Sequence, residues 1–193
     1  MSKRIAFFTA AAFGALALTA TAVAPVSAQD KMKSEMSGEK TVMVGGAAMF
    51  PSKNIIQNAV NSKDHTTLVA AVKAAGLVET LEGKGPFTVF APTNAAFGKL
   101  PAGTVDTLVK PENKPALTKI LTYHVVPGRL EASSLTDGKK LKTVEGEELT
   151  VHASRGKVMI VDAKGGSSTV TISNVNQSNG VIHVVDTVLM PAS

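Results

Sequence analysis

The run Phe87-Thr88-Val89-Phe90-Ala91-Pro92-Thr93-Asn94-Ala95-Ala96-Phe97 decides how the rest of the chain is read. Phe87 to Ala91 is an apolar stretch of strand length, preceded by the turn Gly83-Lys84-Gly85-Pro86 and closed by Pro92. Proline has no amide hydrogen for a ladder, so the strand stops there. Thr93 or Asn94 then offers a side-chain oxygen to cap a short helix through Phe97 and Leu100. A buried strand that turns at once into a capped helix fixes both the local structure and one wall of a core, to which Phe87 and Val89 contribute.

Helical spacing dominates on the N-terminal side of this run. Ile55, Ile56, Ala59 and Val60 share one side of a short helix. Asp64 is placed to cap the next, whose stripe is Leu68, Val69, Val72 and Ala75, with Gly76 where a left-handed C-terminal cap is wanted. A further helix is expected after Pro115, with Leu117, Ile120, Leu121 and His124 at i, i+3, i+4 and i+7. Beyond it the period changes. Leu149–His152 and Val158–Val161 read as strands around a turn at Ser154-Arg155-Gly156, and Val170-Thr171-Ile172 starts another. Asn179-Gly180 is a hairpin signal, because both residues tolerate positive φ. The strand from Val181 to Met190 is apolar on both faces apart from His183, Asp186 and Thr187, so it belongs in the middle of a packed structure. A helical first half and a strand-rich second half predict an α+β fold rather than alternating βαβ units.

The ends of the chain behave differently. Met1-Ser2-Lys3-Arg4, an apolar run from Ile5 to Ala24, and the small residues after Pro25 have the layout of a secretory signal, cut after Ala28. Residues 29–40 mix both charge signs with little bulk and read as a flexible leader. Residues 41–193 form one domain. Loss of Lys3 and Arg4 lowers the formal charge of +5 by two, to +3, and a net charge that small, spread along the chain, is too weak to imply nucleic acid. Aromatic residues make up 4% of the chain, which argues against a stacking platform for bases. Cysteine is absent, so disulfides, thiolate metal sites and Cys nucleophiles are excluded. The expected product is secreted, extracellular or periplasmic, with no membrane insertion once the signal is removed.

Three segments resemble the fasciclin (FAS1) domain family. Phe87–Phe97 is similar to its first conserved box, Leu121-Thr122-Tyr123-His124-Val125-Val126-Pro127-Gly128 to its Tyr-His segment, and Asn179–Pro191 to its second box. Their order and spacing match as well, and the likeness runs from about Val42 to Pro191. The resemblance implies a wedge-shaped β-sandwich with helices packed around it, and a surface role in adhesion or matrix contact without catalysis. Small secreted bacterial proteins with one such domain are the nearest in layout. The implied partner is an extracellular or surface protein or glycan. The alternative is a periplasmic or extracellular binder of small ligands or polysaccharide with no adhesive role.

The resemblance also singles out Tyr123 and His124 as binding candidates, since in animal fasciclin domains this pair, flanked by bulky apolar residues, is associated with integrin binding. Against that, His124 shares a helical stripe with Leu117 and Leu121, which favours a core position. His183 faces the side of Val181, Val185 and Leu189 and reads as a neutral, hydrogen-bonded interior histidine; Asp186 is on the other face, where backbone donors would engage it. Lys139, Lys140 and Lys142, close to Arg129 in sequence, could attract an acidic polysaccharide or simply keep a strand edge solvated. Asn176-Gln177-Ser178 forms a sequon, read as incidental in a bacterial product. His65, His124, His152 and His183 lack the close spacing of a zinc helix, and no G-x-S-x-G elbow or P-loop occurs. Gly83 and Gly85 lack the third glycine of a dinucleotide fingerprint, and Glu145, Glu147 and Glu148 lie in a polar turn where an exposed cluster is expected. No cofactor, metal site or catalytic residue is therefore assigned, and a hydrolase would have to assemble residues distant in sequence.

Overall fold

The computed structural model describes residues 40–192. The signal segment 1–28 and nearly all of the leader lie outside the described residues.

The described residues open on strands β1 (Val42–Val44) and β2 (Ala47–Met49), which pair as a small antiparallel hairpin. This hairpin departs from the helical first half read from the sequence. Three residues per strand are too few to show a period, and the real cue is Gly45-Gly46, which turns the chain at φ +57° and +75°. Helix α1 (Ile55–Ala59) follows, held by a capping box in which Asn54 Oδ1 accepts the Gln57 amide and Gln57 Oε1 accepts the Asn54 amide. A short 3₁₀ turn (Lys63–His65) leads into α2 (Thr66–Ala75). Asp64 sits inside that turn and does not cap α2; the Asn94 Oδ1 accepts the Thr67 amide instead, at 3.0 Å. A cap needs only an oxygen in the right place, and here it comes from the far side of β3. Gly76 does close α2 in the left-handed region at φ 74°. Helix α3 (Val78–Glu82) then precedes strand β3 (Phe87–Pro92).

After β3, Thr93 caps α4 (Asn94–Gly98) through the Ala96 amide. Both candidate caps are thus used, on two different helices. Helices α5 (Thr104–Leu108) and α6 (Lys114–Tyr123) complete the helical layer. Strand β4 (Val125–Pro127) leaves α6 directly, and β5 (Lys140–Lys142), β6 (Glu148–Ser154), β7 (Lys157–Val161), β8 (Ser167–Gln177) and β9 (Gly180–Val185) follow. The β6–β7 turn is at Arg155-Gly156, both at positive φ, as the sequence suggests. Strand β9 is shorter than the run to Met190: after Val185 the chain leaves the ladder, because Asp186 Oδ1 and Ser168 Oγ take up backbone amides of Thr169 and Thr187.

The seven-stranded sheet has the order β4-β3-β9-β8-β7-β6-β5. Only β3 and β9 run parallel, so the two most recognisable segments of the sequence lie side by side, Phe87 opposite Gly180 and Pro92 opposite Val185. Strand β8 shifts register twice on β9 and carries the sheet from one leaf to the other. Phe90, Val126 and Val185 of one leaf share a core with Leu141, Leu149, Val151 and Ile160 of the other, which makes the sheet a sandwich. The opposite faces of β3 and β9 present Val89, Ala91, Ile182 and Val184 to the helices, where Leu68, Val72, Leu117 and Leu121 pack. Every residue of β9 is buried, as a two-sided apolar strand requires. Each large side chain in these cores contributes roughly 1.5–3 kcal/mol.

Candidate functional site

Tyr123 and His124 are interior residues, 0% and 2% exposed. Tyr123 ends α6 and points into the core of the sandwich; its hydroxyl accepts the Ala163 amide at 2.9 Å and donates to the Glu148 carbonyl at 3.3 Å. His124 lies between α6 and the C-terminal segment. Its Nδ1 donates to the Ile120 carbonyl at 2.8 Å and its Nε2 accepts the Leu189 amide at 3.0 Å, a pattern that only the neutral ring can make. Burial lowers its pKa to about 4. The pair therefore joins the helix, the sandwich and the last segment of the chain, and offers no atom to a partner at the surface.

The remaining polar residues of the boxes are also committed. His183 stacks on Phe90 and bonds the Leu130 carbonyl through Nε2 at 2.7 Å; burial lowers its pKa as well. Although desolvation opposes ionisation of Asp186, the Thr169 amide, the Thr187 hydroxyl and Lys99 together hold its carboxyl below the usual value. Ser62 Oγ and His65 Nδ1 meet at 2.9 Å, a contact that sequence spacing did not flag. Both are sealed at 2% and 3% exposure, and His65 lines an apolar cavity of about 40 Å³, so the hydroxyl is not presented to a substrate. Glu145 is drawn inward rather than exposed, pairing with Lys119 at 3.5 Å. Among the described residues, no group of three or more His, Asp or Glu side chains is placed to hold a metal ion. Among the same residues, no helix is long and apolar enough to cross a membrane.

The surface lysines are partly occupied. Lys139 donates to the Ser134 carbonyl at 2.7 Å and Lys140 pairs with Glu148 at 3.3 Å across the ladder, while Lys142 is exposed. Arg129 turns away from this edge. Its Nη2 donates to the carbonyls of Gln177 and Gly180 at 2.7 and 3.2 Å, which fixes the guanidinium at one end of the sheet.

At that end is an open polar cleft of about 510 Å³. One wall is the turn from Glu82 to Pro86, with Lys84 exposed; the other is the start of α1, Arg129 and the β8–β9 turn at Ser178-Asn179. Asn179 ties the walls together. Its Oδ1 accepts the Ile55 amide at 3.1 Å, and its Nδ2 donates to the carbonyls of Leu81 and Gly83 at 2.7 and 3.1 Å. Gly85 permits the close approach: a Cβ there would come within 2.0 Å of the Asn179 carbonyl oxygen. In the sequence these residues read only as two turns. Their convergence depends on the parallel pairing of β3 with β9, which no local pattern encodes.

Comparison with known proteins places this architecture. The Fasciclin domain model matches residues 63–191. The chain is 45% identical over 190 residues to protein sll1483 of Synechocystis, covering 98% of this chain and 97% of the relative. It is 38% identical over 138 residues to the immunogenic protein MPB70 of Mycobacterium bovis, covering 69% of this chain and 66% of that protein. It is 40% identical over 153 residues to the cell surface glycolipoprotein MPB83 of the same species, covering 77% of this chain and 64% of that protein. The fold superposes with a TM-score of 0.65 and 17% identity on a FAS1 domain pair from the insect cell adhesion molecule Fasciclin I, over 79% of this chain and 58% of that one. Two boxes paired in parallel at the centre of the sheet, a Tyr-His pair locked beneath them and a family match across two thirds of the sequence have one reading: the chain belongs to the fasciclin-domain family.

Proposed function

We propose that the chain is an exported, non-catalytic surface module that mediates adhesion through polar contacts with an extracellular protein or glycan, using the cleft bounded by Lys84 and Arg129. The observation that carries this reading is the division of labour in the fold. The family's recognisable residues, Tyr123 and His124 among them, are spent on the interior, while the 510 Å³ cleft presents exposed charged and amide groups on a braced frame. The surface descriptions of the mycobacterial relative and of the insect adhesion molecule support the location and the kind of role. Among the described residues, the exposed large apolar side chains are Met43, Val60, Val144 and Met159, on separate elements, which favours polar over hydrophobic recognition.

The test is attachment of cells that carry the wild-type gene, a deletion, or the Lys84→Glu variant. Deletion and Lys84→Glu should both lower attachment to the native surface severalfold, because Lys84 is exposed and its replacement leaves the fold intact. Attachment unchanged by deletion on every surface tried would refute the adhesive role. Attachment lost on deletion but untouched by Lys84→Glu would refute the cleft.

A further inference from the structure

We infer that the cleft binds a carboxylate-bearing polysaccharide, a chain of uronic acid residues; this rests on the cleft being the recognition site. The side chains lining the cleft offer more donors than acceptors. In the capping box of α1, the side-chain oxygens of Asn54 and Gln57 both accept backbone amides. That leaves the two amide NH₂ groups as the polar atoms free to meet a ligand, and both side chains line the cleft. Lys84 adds an ammonium. Arg129 adds the N–H groups that remain after its bonds to Gln177, Gly180 and Asn176, and those bonds hold the fork in a fixed orientation. Against these donors stand the Ser178 hydroxyl and one carboxylate, Glu82.

A cleft so rich in donors asks its ligand for acceptor oxygens and negative charge. The lining has no aromatic ring, so a neutral sugar has nothing to stack on. Glu82 then sets the charge density. With two cations and one anion facing the same space, a ligand bearing one negative charge per residue, with hydroxyls between, fits better than a densely sulfated chain or a polyglutamate run. Hydroxyls can donate to Glu82 and Ser178 and accept from Asn54 and Gln57, while the carboxylate pairs with Arg129 or Lys84. The bracing by Asn179 means that the site exists before the ligand arrives.

The experiment is calorimetric titration of the purified, exported protein at low salt with four probes: an alginate hexamer, a neutral glucose hexamer, a heparin hexamer and a glutamate hexapeptide. The alginate hexamer should bind at least tenfold more tightly than any of the other three and weaken as salt is raised. Gln57→Glu keeps the capping box, since glutamate is the residue that box prefers, but replaces the outward donor with a charge. It should weaken alginate binding about tenfold with the melting temperature unchanged. Lys84→Ala, at an exposed position, should weaken it severalfold. The inference is overturned if the neutral, sulfated or peptide probe binds as well as alginate, if alginate does not bind, or if both variants bind it like the wild type. Should alginate fail while Lys84→Glu still abolishes attachment, the ligand class falls and the cleft stands; should attachment be unaffected too, both fall.

Discussion

Gly180→Ala is expected to prevent the protein from folding. Gly180 faces Phe87 in the parallel β3–β9 pair, and a Cβ on it would lie 2.0 Å from the Phe87 carbonyl oxygen and 2.9 Å from its carbon. Both are backbone atoms of a strand paired on each side, so neither can swing away as a long side chain could. The strand must either separate from β9 or shift register, and a shift by one residue would turn Ile182 and Val184 away from the helices and His183 toward them. Loss of the central pairing should exceed about 4 kcal/mol, in the range that abolishes the folded state of a marginally stable domain. The contrast is Gly98, at the end of α4, where a Cβ meets nothing within 4 Å. Gly98→Ala should raise stability by about 0.5–1 kcal/mol. Urea unfolding followed by circular dichroism checks both. A Gly180→Ala protein with a wild-type midpoint would show that the two boxes are not in backbone contact.

Acidification gives the second large effect. The neutral His124 ring is used on both sides, as a donor to Ile120 and an acceptor from Leu189, and protonation destroys the second bond while placing a charge in the core. Its pKa falls from 6.5 to about 4 on folding, so between those values the unfolded chain binds the proton and the native protein does not. Stability should therefore be full above about pH 6.5 and decline as pH falls toward 4, by about 3 kcal/mol from this residue alone. Burial depresses His65 and His183 in the same direction. Asp162, whose charge opposes the shift of His124, accepts the Met190 amide at 3.0 Å and so helps hold the same segment. Unfolding midpoints measured from pH 4 to 8 test this. His124→Gln, which cannot titrate, should be less stable at pH 7 yet show a flatter profile; an unchanged slope in that variant would place the acid sensitivity elsewhere.

How much of this was legible in the sequence depends on whether the determinant is local. Pro92 ending β3, Gly76 closing α2, Arg155-Gly156 turning β6 into β7, and the two-sided burial of β9 follow from residue types in short windows, and each has its expected place in the structure. The helical stripe through Leu117, Leu121 and His124 pointed correctly to an interior histidine. The β1–β2 hairpin escaped because three-residue strands carry no period. The cap of α2 escaped because Asn94 reaches it from another element, and Asp64 had the right chemistry in the wrong place. The cleft was illegible for the same reason on a larger scale: Lys84, Arg129 and Asn179 meet only because β9 inserts beside β3. Proximity in sequence groups Arg129 with Lys139, Lys140 and Lys142, whereas its bonds go to the β8–β9 turn.

In the function proposed above, the family's hallmark residues build the interior and partners meet the cleft. The most direct measurement is amide hydrogen exchange of the protein free and bound to the surface it adheres to. Slowed exchange should centre on residues 54–57, 82–86 and 178–179, with the segment 121–126 equally protected in both states. Protection that instead appears around Tyr123 and His124 on binding, with the cleft unchanged, would contradict it.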